Sequence, residues 1–582
     1  MKKIFRTMLL LLAATTGLTL ASCSDDDNLT TADALFRPII SESDNIEHAL
    51  DEDLRPYMTI TWDKYTDANQ YVVGIAASDG SDTRTITTDT TTYVFTGLEY
   101  DKEYNISIRC ENTVTGLASK DYTLTTTSLD YPTKLASIGT SDIIDNAARI
   151  SWAEDAELDS VQILKDSNDS LVYTIDLSAI DELLVTNAIV TGLQPKTTYK
   201  AVAYKEDAYR GKKRFTTVAE ESFKGVVFDL RDLDESESKG YITTDQIAMD
   251  VEANPGEDIT YVLHGGYDYK IGGGTTFPEN GNTITFVTGL TLEGNARFIS
   301  GGGFTIGGDV EGVVFEKIDF VSDKLNNGDV DLRENTDQGW GGRQVLNLNG
   351  VKATLKNLTF KSCTVNAYRA MIRTQKDGDN ITNILVEDCQ INAIGDQGVF
   401  TSTNKKGVWE KVTVKNSTIT NIVMLCDFRI NTAKNSLPIE LNIENCTFCY
   451  APKETTANAN TPLFRVGDAT TIKVSNSLFG PAMATEGSSG GSIMPYTAAT
   501  AGSIYVTGDP TADVVNSYKT NFEWTGREDA TTGETITNPL DGLTSLSLSE
   551  TQLWSNPSEG KFNIIGSASG VDFSTLGDAR WW

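Results

Sequence analysis

Phe315-Glu316-Lys317-Ile318-Asp319-Phe320 opens a series of related hexapeptides. The series continues as Leu355-Lys356-Asn357-Leu358-Thr359-Phe360, Val386-Glu387-Asp388-Cys389-Gln390-Ile391 and Val414-Lys415-Asn416-Ser417-Thr418-Ile419. Ile443-Glu444-Asn445-Cys446-Thr447-Phe448 and Val474-Ser475-Asn476-Ser477-Leu478-Phe479 close it. The third positions lie 357 − 317 = 40, then 31, 28, 29 and 31 residues apart. A period of about 30 residues without a helical pattern predicts a solenoid of short strands. Alternating apolar residues face its interior. Asn or Asp suits the turn because its short side chain bonds the backbone and tolerates a left-handed conformation. Successive coils stack about 4.8 Å apart. The 40-residue step predicts an inserted loop, which the Asn- and Asp-rich residues 321–343, with Trp340-Gly341-Gly342, supply.

A second strand follows from aligning the coils. It reads Arg369-Ala370-Met371-Ile372-Arg373, Gln397-Gly398-Val399-Phe400-Thr401, Leu425-Cys426-Asp427-Phe428-Arg429 and Thr461-Pro462-Leu463-Phe464-Arg465. Ile372, Phe400, Phe428 and Phe464 share one register and are expected to point inward. Alternation then sends Arg369, Arg373, Asp427, Arg429 and Arg465 outward on one sheet. Arg429 and Arg465 would sit on neighbouring coils about 5 Å apart at the backbone. That is unfavourable unless Asp427 or a bound anion offsets it. Two readings stay open. One is an Arg–Asp ladder that keeps an exposed sheet soluble. The other is a binding surface for a uronic-acid polymer, because Arg matches carboxylates bidentately. Tyr368 and Trp340 are the candidate aromatic platforms beside it.

The first third of the chain repeats a different set of landmarks. Trp62, Tyr71-Val72-Val73-Gly74-Ile75, Thr96-Gly97-Leu98 and Tyr104 are matched by Trp152, Val161-Gln162-Ile163-Leu164, Thr191-Gly192-Leu193 and Tyr199. The Thr-Gly-Leu pieces are 191 − 96 = 95 residues apart, and Tyr follows Leu by six positions in both (104 − 98 and 199 − 193). An inward Trp fills the space between two sheets, and the Tyr hydroxyl bonds back to the backbone at a corner. Residues 35–127 and 130–218 thus resemble fibronectin type III modules. No exposed aromatic cluster is legible in either, which favours spacers over binders.

Composition agrees with an all-β chain. Of 582 residues, 48 are Gly and 14 Pro, and the net charge is −33. That charge argues against nucleic-acid binding. With His48 and His264 as the only histidines, Ser-His-Asp, Cys-His and multi-His metal sites have almost nothing to be built from. The Cys446-x-x-Cys449 pair lacks a second pair for zinc, so packed free thiols are expected.

The chain begins with an address. Lys2, Lys3 and Arg6 precede an apolar run from Met8 to Leu20, too short to span a bilayer stably. Leu20-Ala21-Ser22-Cys23 resembles a bacterial lipobox, which implies acylation of Cys23 and removal of residues 1–22. Ser24-Asp25-Asp26-Asp27, in the linker 23–34, resembles the tag of lipoproteins exported to the outer face of the outer membrane. A lipid-anchored, extracellular location follows as an expectation.

Ile259 to Tyr267, with His264-Gly265-Gly266-Tyr267, resembles the opening coil of the pectate-lyase-like superfamily. Gly577-Asp578-Ala579-Arg580-Trp581-Trp582 resembles the close of uncharacterised β-helix lipoproteins from glycan-foraging bacteria. The resemblance implies a right-handed parallel β-helix over residues 225–500, with 501–582 finishing and capping it. The lipid address, the spacer modules, the Arg-bearing sheet and the missing catalytic motifs point instead to a non-catalytic surface protein that binds acidic, pectin-like polysaccharide for an uptake complex. A polysaccharide lyase and an adhesion protein are the alternatives. A lyase would need an Arg or Lys base and usually Ca²⁺. Asp427 with Arg429 is the candidate pair, and Asp323, Asp329, Asp331 and Asp337 are where Ca²⁺ would be sought. No lyase motif or paired-Asp hydrolase motif matches.

Overall fold

A computed structural model describes residues 34–177, 185–271, 274–326, 344–350, 352–376, 378–402, 407–428, 439–452, 463–467, 469–482, 510–522 and 540–582. Five two-residue strands between 484 and 536 are given by backbone alone. The chain divides between Thr217 and Val218 into two compact units.

The N-terminal unit holds two fibronectin type III-like β-sandwiches. In the first, Ile46–Leu50, Pro56–Thr61 and Thr92–Phe95 form one sheet, and Thr83–Thr88, Gln70–Ala77, Glu103–Asn112 and Tyr122–Thr127 form the facing one. Period-two burial along Glu103–Asn112 puts Tyr104, Ile106, Ile108 and Cys110 inside. Trp62 fills the space between the sheets, its ring edge-on to Tyr71 at 5.5 Å. The second sandwich pairs Ala147–Ser151 with Asn187–Thr191 opposite a four-stranded sheet, with Trp152 buried between them.

Both corners form as the spacing predicts. The Glu99 N–H donates to the Tyr104 hydroxyl at 3.1 Å, and the Gln194 N–H to the Tyr199 hydroxyl at 2.8 Å. Each corner orders a half-buried backbone donor that has no ladder partner. Tyr104→Phe and Tyr199→Phe should therefore each cost the N-terminal unit about 1–2 kcal/mol. The two losses should add, because the sites are distant. Denaturant unfolding of the single and double variants checks this, and a double variant as stable as either single would contradict it.

An aromatic cluster lies where the two sandwiches meet. The Tyr100 ring sits 5.6 Å from Tyr131 and 5.6 Å from Tyr209. The Tyr209 hydroxyl donates to Asp130 at 2.5 Å, and Arg210 lies over Tyr131 at 5.3 Å. Asp101 pairs with Lys212 and, at 3.7 Å, with Arg214.

The C-terminal unit is a parallel β-solenoid. Its described strands form three parallel sheets of ten, ten and eight strands, and each central coil contributes one strand to each sheet. In the first sheet, Tyr261, Phe286, Phe315, Phe360, Val386, Val414, Ile443 and Val474 stand in one inward column. The second sheet stacks Phe298, Phe320, Val365, Ile391, Ile419, Phe448 and Phe479.

One repeat is placed differently from the sequence alignment. Phe315 pairs with Phe360, not Leu355. The equivalent of Lys317 is therefore Ser362. Lys317, Ser362, Asp388, Asn416, Asn445, Asn476 and Asn516 all have φ between 46° and 56°, the left-handed turn expected of the Asn/Asp position. The first two steps become 362 − 317 = 45 and 388 − 362 = 26 residues. The inserted loop is longer than the sequence count implied, and the following coil is ordinary.

Coil stacking is reinforced outside and inside. Glu316, Lys361, Glu387, Lys415 and Glu444 occupy one outward column of alternating charge. Lys361 bonds Glu316 at 3.1 Å and Lys415 bonds Glu387 at 2.7 Å. Just past the turn, Cys363, Cys389, Ser417, Cys446, Ser477 and Ser517 stack inward. The Cys389 and Cys446 N–H groups donate to Ser417 and Ser477 Oγ at 3.0 and 3.1 Å. The described cysteines are free and buried, and burial pushes the Cys446 thiol up to about 12. They are packed thiols, as the sequence suggested.

Both ends carry elements the repeat does not announce. The first sheet opens at Val226–Asp229, one strand before Ile259–Leu263. Short helices Glu235–Gly240 and Thr244–Ala253 follow, and Ile242 and Ile247 join the solenoid core. At the far end, Thr511–Val515, Tyr518–Lys519 and Thr544–Ser545 continue the first and second sheets, so the solenoid runs past residue 500. The last residues then fold back along its side. Leu553, Trp554, Phe562 and Leu576 form a small core with Cys449 and Leu478. The closing segment is pinned to earlier coils: Asp578 accepts from the Thr418 hydroxyl at 2.7 Å, and Arg580 donates to the Asp388 carbonyl at 2.7 Å.

Candidate functional site

The third sheet carries the residues singled out from the sequence. Its inward column is Leu346, Ile372, Phe400, Cys426 and Phe464. Cys426 therefore takes the place expected for Phe428, which is buried two residues further on. The outward column is Asn347, Arg373, Thr401, Asp427 and Arg465. Asp427 is thus the ladder neighbour of Arg465. The two bond directly, Arg465 Nη1 to Asp427 Oδ2 at 3.3 Å.

Arg369 stands at the foot of the column. It grips Asp396 with both arms of its guanidinium, at 2.7 and 2.9 Å, and this bond raises the Arg369 pKa. Arg373 is the most desolvated of the group. Burial, with the like charge of Arg369, pushes its guanidinium below the ordinary value. Oriented for hydrogen bonding, the Gln375 amide oxygen accepts from Arg373 at 2.8 and 2.9 Å. Asn347 Oδ1 and Thr305 Oγ1, near the same face, are buried with no hydrogen-bond partner among the described residues. Three arginines against Asp396 and Asp427 leave the described cluster at 3 − 2 = +1, on a chain of net charge −33.

Other expectations are corrected or fall elsewhere. Tyr368 is fully buried and its hydroxyl donates to Ser300 Oγ at 3.0 Å. Its ring belongs to the core and cannot serve as a platform. Trp340, Arg429, Cys23, Asp329, Asp331 and Asp337 lie outside the described residues. Asp323 opens the short helix Asp323–Asn326. Among the described residues no group of three or more His, Cys, Asp or Glu side chains could hold a metal ion, Ca²⁺ included. No helix of the described residues is long and apolar enough to cross a membrane.

The histidines are engaged in local contacts. His264 stacks on Tyr267 at 3.8 Å with Nδ1 2.6 Å from the Gly265 carbonyl oxygen, and His48 lies 3.2 Å from the Thr126 hydroxyl. The candidate lyase pair reduces, among the described residues, to Asp427, which is bonded to Arg465.

Sequence reasoning missed Asp396, Gln375 and Asn347. Asn347 could have been found, since it stands two coils before Thr401 once the register is fixed. Asp396 sits in the turn before Gly398, where strand periodicity says nothing.

No protein-family model matches the chain, and no curated relative matches it. Among solved structures it is similar to a two fibronectin type III domain segment from chicken tenascin. The identity is 19% over 31% of this chain and 100% of that one, with a TM-score of 0.16. It is also similar to chicken CNTN1 FN1–FN3 domains, at 14% identity over 28% of this chain and 60% of that one, with a TM-score of 0.13.

Proposed function

We propose that this chain is a non-catalytic, lipid-anchored surface protein that binds an acidic, pectin-like polysaccharide and passes it to an uptake complex. The observation that carries the reading is the outward column Asn347–Arg373–Thr401–Asp427–Arg465, flanked by Arg369. It places the partly exposed Asn347, Arg373 and Arg465 in one row on coils about 4.8 Å apart, with Thr401 and Asp427 buried between them. A regular polymer can meet such a row at several sugars in succession. Arg373 and Arg465 would receive uronate carboxylates, and the Asn347 amide would meet a sugar hydroxyl. The lipobox at Leu20-Ala21-Ser22-Cys23 supports the anchored location.

The test uses the chain without residues 1–22, titrated with polygalacturonate with and without Ca²⁺. Binding and absorbance near about 235 nm, where β-elimination products absorb, are followed together. Binding without absorbance change is expected, and Arg373→Ala with Arg465→Ala should weaken it at least tenfold. A steady rise in absorbance would make the protein a lyase. Failure to bind either uronate or neutral polymers would leave the adhesion reading standing.

A further inference from the structure

The second sandwich presents an outward face that its neighbour partly covers. Tyr199, Ala201 and Ala203 point into the core, so alternation turns Lys200, Val202 and Tyr204 outward. Tyr209 pairs with Tyr204 across the hairpin, and Lys212 with Val202. Val202 is only 4% exposed although it faces away from its own core. The Gly97–Tyr100 corner of the first sandwich lines the same cleft as Val202. The Tyr100–Tyr209 ring contact at 5.6 Å and the Lys212–Asp101 pair hold the corner there.

Between corner and sheet is a cleft of about 630 Å³, within the size range of small-ligand sites. Tyr100, Tyr204 and Tyr209 supply its rings, and Arg55, Lys200 and Lys212 its cations. The carboxylates Glu99 and Asp169 also line it, and Asp169 pairs with Lys200. Each lining cation already faces a carboxylate, Lys200 with Asp169, Lys212 with Asp101 and Arg55 with Asp53 at 3.6 Å.

We infer that this cleft is a second saccharide site, taking an acidic sugar unit, so that the sandwich pair binds ligand instead of only spacing the solenoid. The inference rests on the acidic-glycan reading above but uses none of its residues. A sugar presents an apolar C–H face and a polar rim. The tyrosine rings meet the first, and their hydroxyls and the lysines meet the second. A uronate carboxylate meets Lys200 or Lys212 in place of Asp169 or Asp101, exchanging one charge pair for another. Affinity for a single unit is accordingly modest, and a polymer that reaches both sites gains through linkage. The Tyr209–Asp130 bond and the Arg210–Tyr131 contact fix the walls beforehand, which lowers the ordering cost of binding.

The experiment is calorimetric titration of the chain lacking residues 1–22 with tetragalacturonate, and with a neutral galactose tetramer as control. Tyr204→Ala with Lys200→Gln leaves the sandwich core intact, and an unchanged unfolding midpoint confirms it. Two acidic-sugar sites per chain are expected. The Tyr204/Lys200 variant should lose one at least tenfold in affinity, and the Arg373/Arg465 variant should lose the other. If the Tyr204/Lys200 variant binds as the parent does while the Arg373/Arg465 variant loses all binding, the cleft inference falls and the proposed function stands. If the Tyr204/Lys200 variant alone loses all binding, the cleft stands and the third-sheet assignment falls. If no variant nor the parent binds the acidic tetramer, both fall. Equal binding of the neutral tetramer overturns the acidic preference of the cleft.

Discussion

Phe315→Ala is expected to lower the stability of the solenoid unit by about 3–5 kcal/mol. Phe315 is fully buried and sits at the crossing of two ring stacks. Along the first sheet it stacks on Phe286 at 5.8 Å and on Phe360 at 5.1 Å. Across the interior it meets Phe304 at 5.1 Å and Phe320, edge-on, at 5.2 Å. Truncation removes the burial of a whole ring and leaves a cavity. The coils cannot close that cavity by moving together, because ladder bonds between parallel strands hold them at about 4.8 Å. Phe36→Ala, at a residue 87% exposed, should change stability by less than about 0.5 kcal/mol and serves as the control. With two units in the chain, a single overall midpoint is ambiguous. Amide exchange of the first-sheet strands therefore gives the cleaner reading. A loss below about 1 kcal/mol in those strands would mean that the stack repacks and that the ring column does not hold the coils together.

What the sequence disclosed and what it hid follow from one property of strands. Alternation separates inside from outside, but it does not fix which residue of the next coil stands opposite. At Thr354–Lys361 the strand itself has the spacing of a repeat, so Leu355–Phe360 mimics a unit that begins at Phe360. The true turn residue there is Ser362, which carries no Asn or Asp signature. At Cys426 a small thiol stands where aromatic neighbours suggested Phe428, and the two-residue shift brings Asp427 beside Arg465. The Trp and Tyr landmarks of the sandwiches transferred without error, because a corner ties residues six apart and leaves no register to slip. The junction rings Tyr100, Tyr131 and Tyr209 were invisible for a further reason. A pattern marks a residue as outward, and only the packed unit reveals that a second module covers it.

The closing segment offers the sharper test of electrostatics. Arg580→Ala should loosen residues 577–582 from the solenoid by about 3 kcal/mol at neutral pH. The Asp578 side chain is fully buried. Arg580 Nε bonds its Oδ2 at 3.0 Å, and the guanidinium also donates to the Asp388 carbonyl at 2.7 Å. Removing the Arg580 side chain leaves a buried carboxylate with only the Thr418 hydroxyl, at 2.7 Å, and the residue-580 backbone N–H, at 3.1 Å, as donors. Burial raises the Asp578 carboxyl above its ordinary value, and Arg580 is the largest opposing influence. A raised acid favours docking fully below the unfolded value of about 4 and loses that contribution as pH climbs through the folded value. Without Arg580 the folded value rises further, so the loss spans a wider range. The gap between parent and variant should be smallest below the unfolded value of about 4. It should widen towards pH 7. Trp581, whose indole donates to Thr418 at 2.7 Å, lies inside the segment. Proteolysis of the C-terminal residues and amide exchange at Ala579, bonded to Asn416 at 2.8 Å, report its release. A gap that is the same at both pH values would show that Arg580 acts through its bond to the Asp388 carbonyl and not through the Asp578 charge.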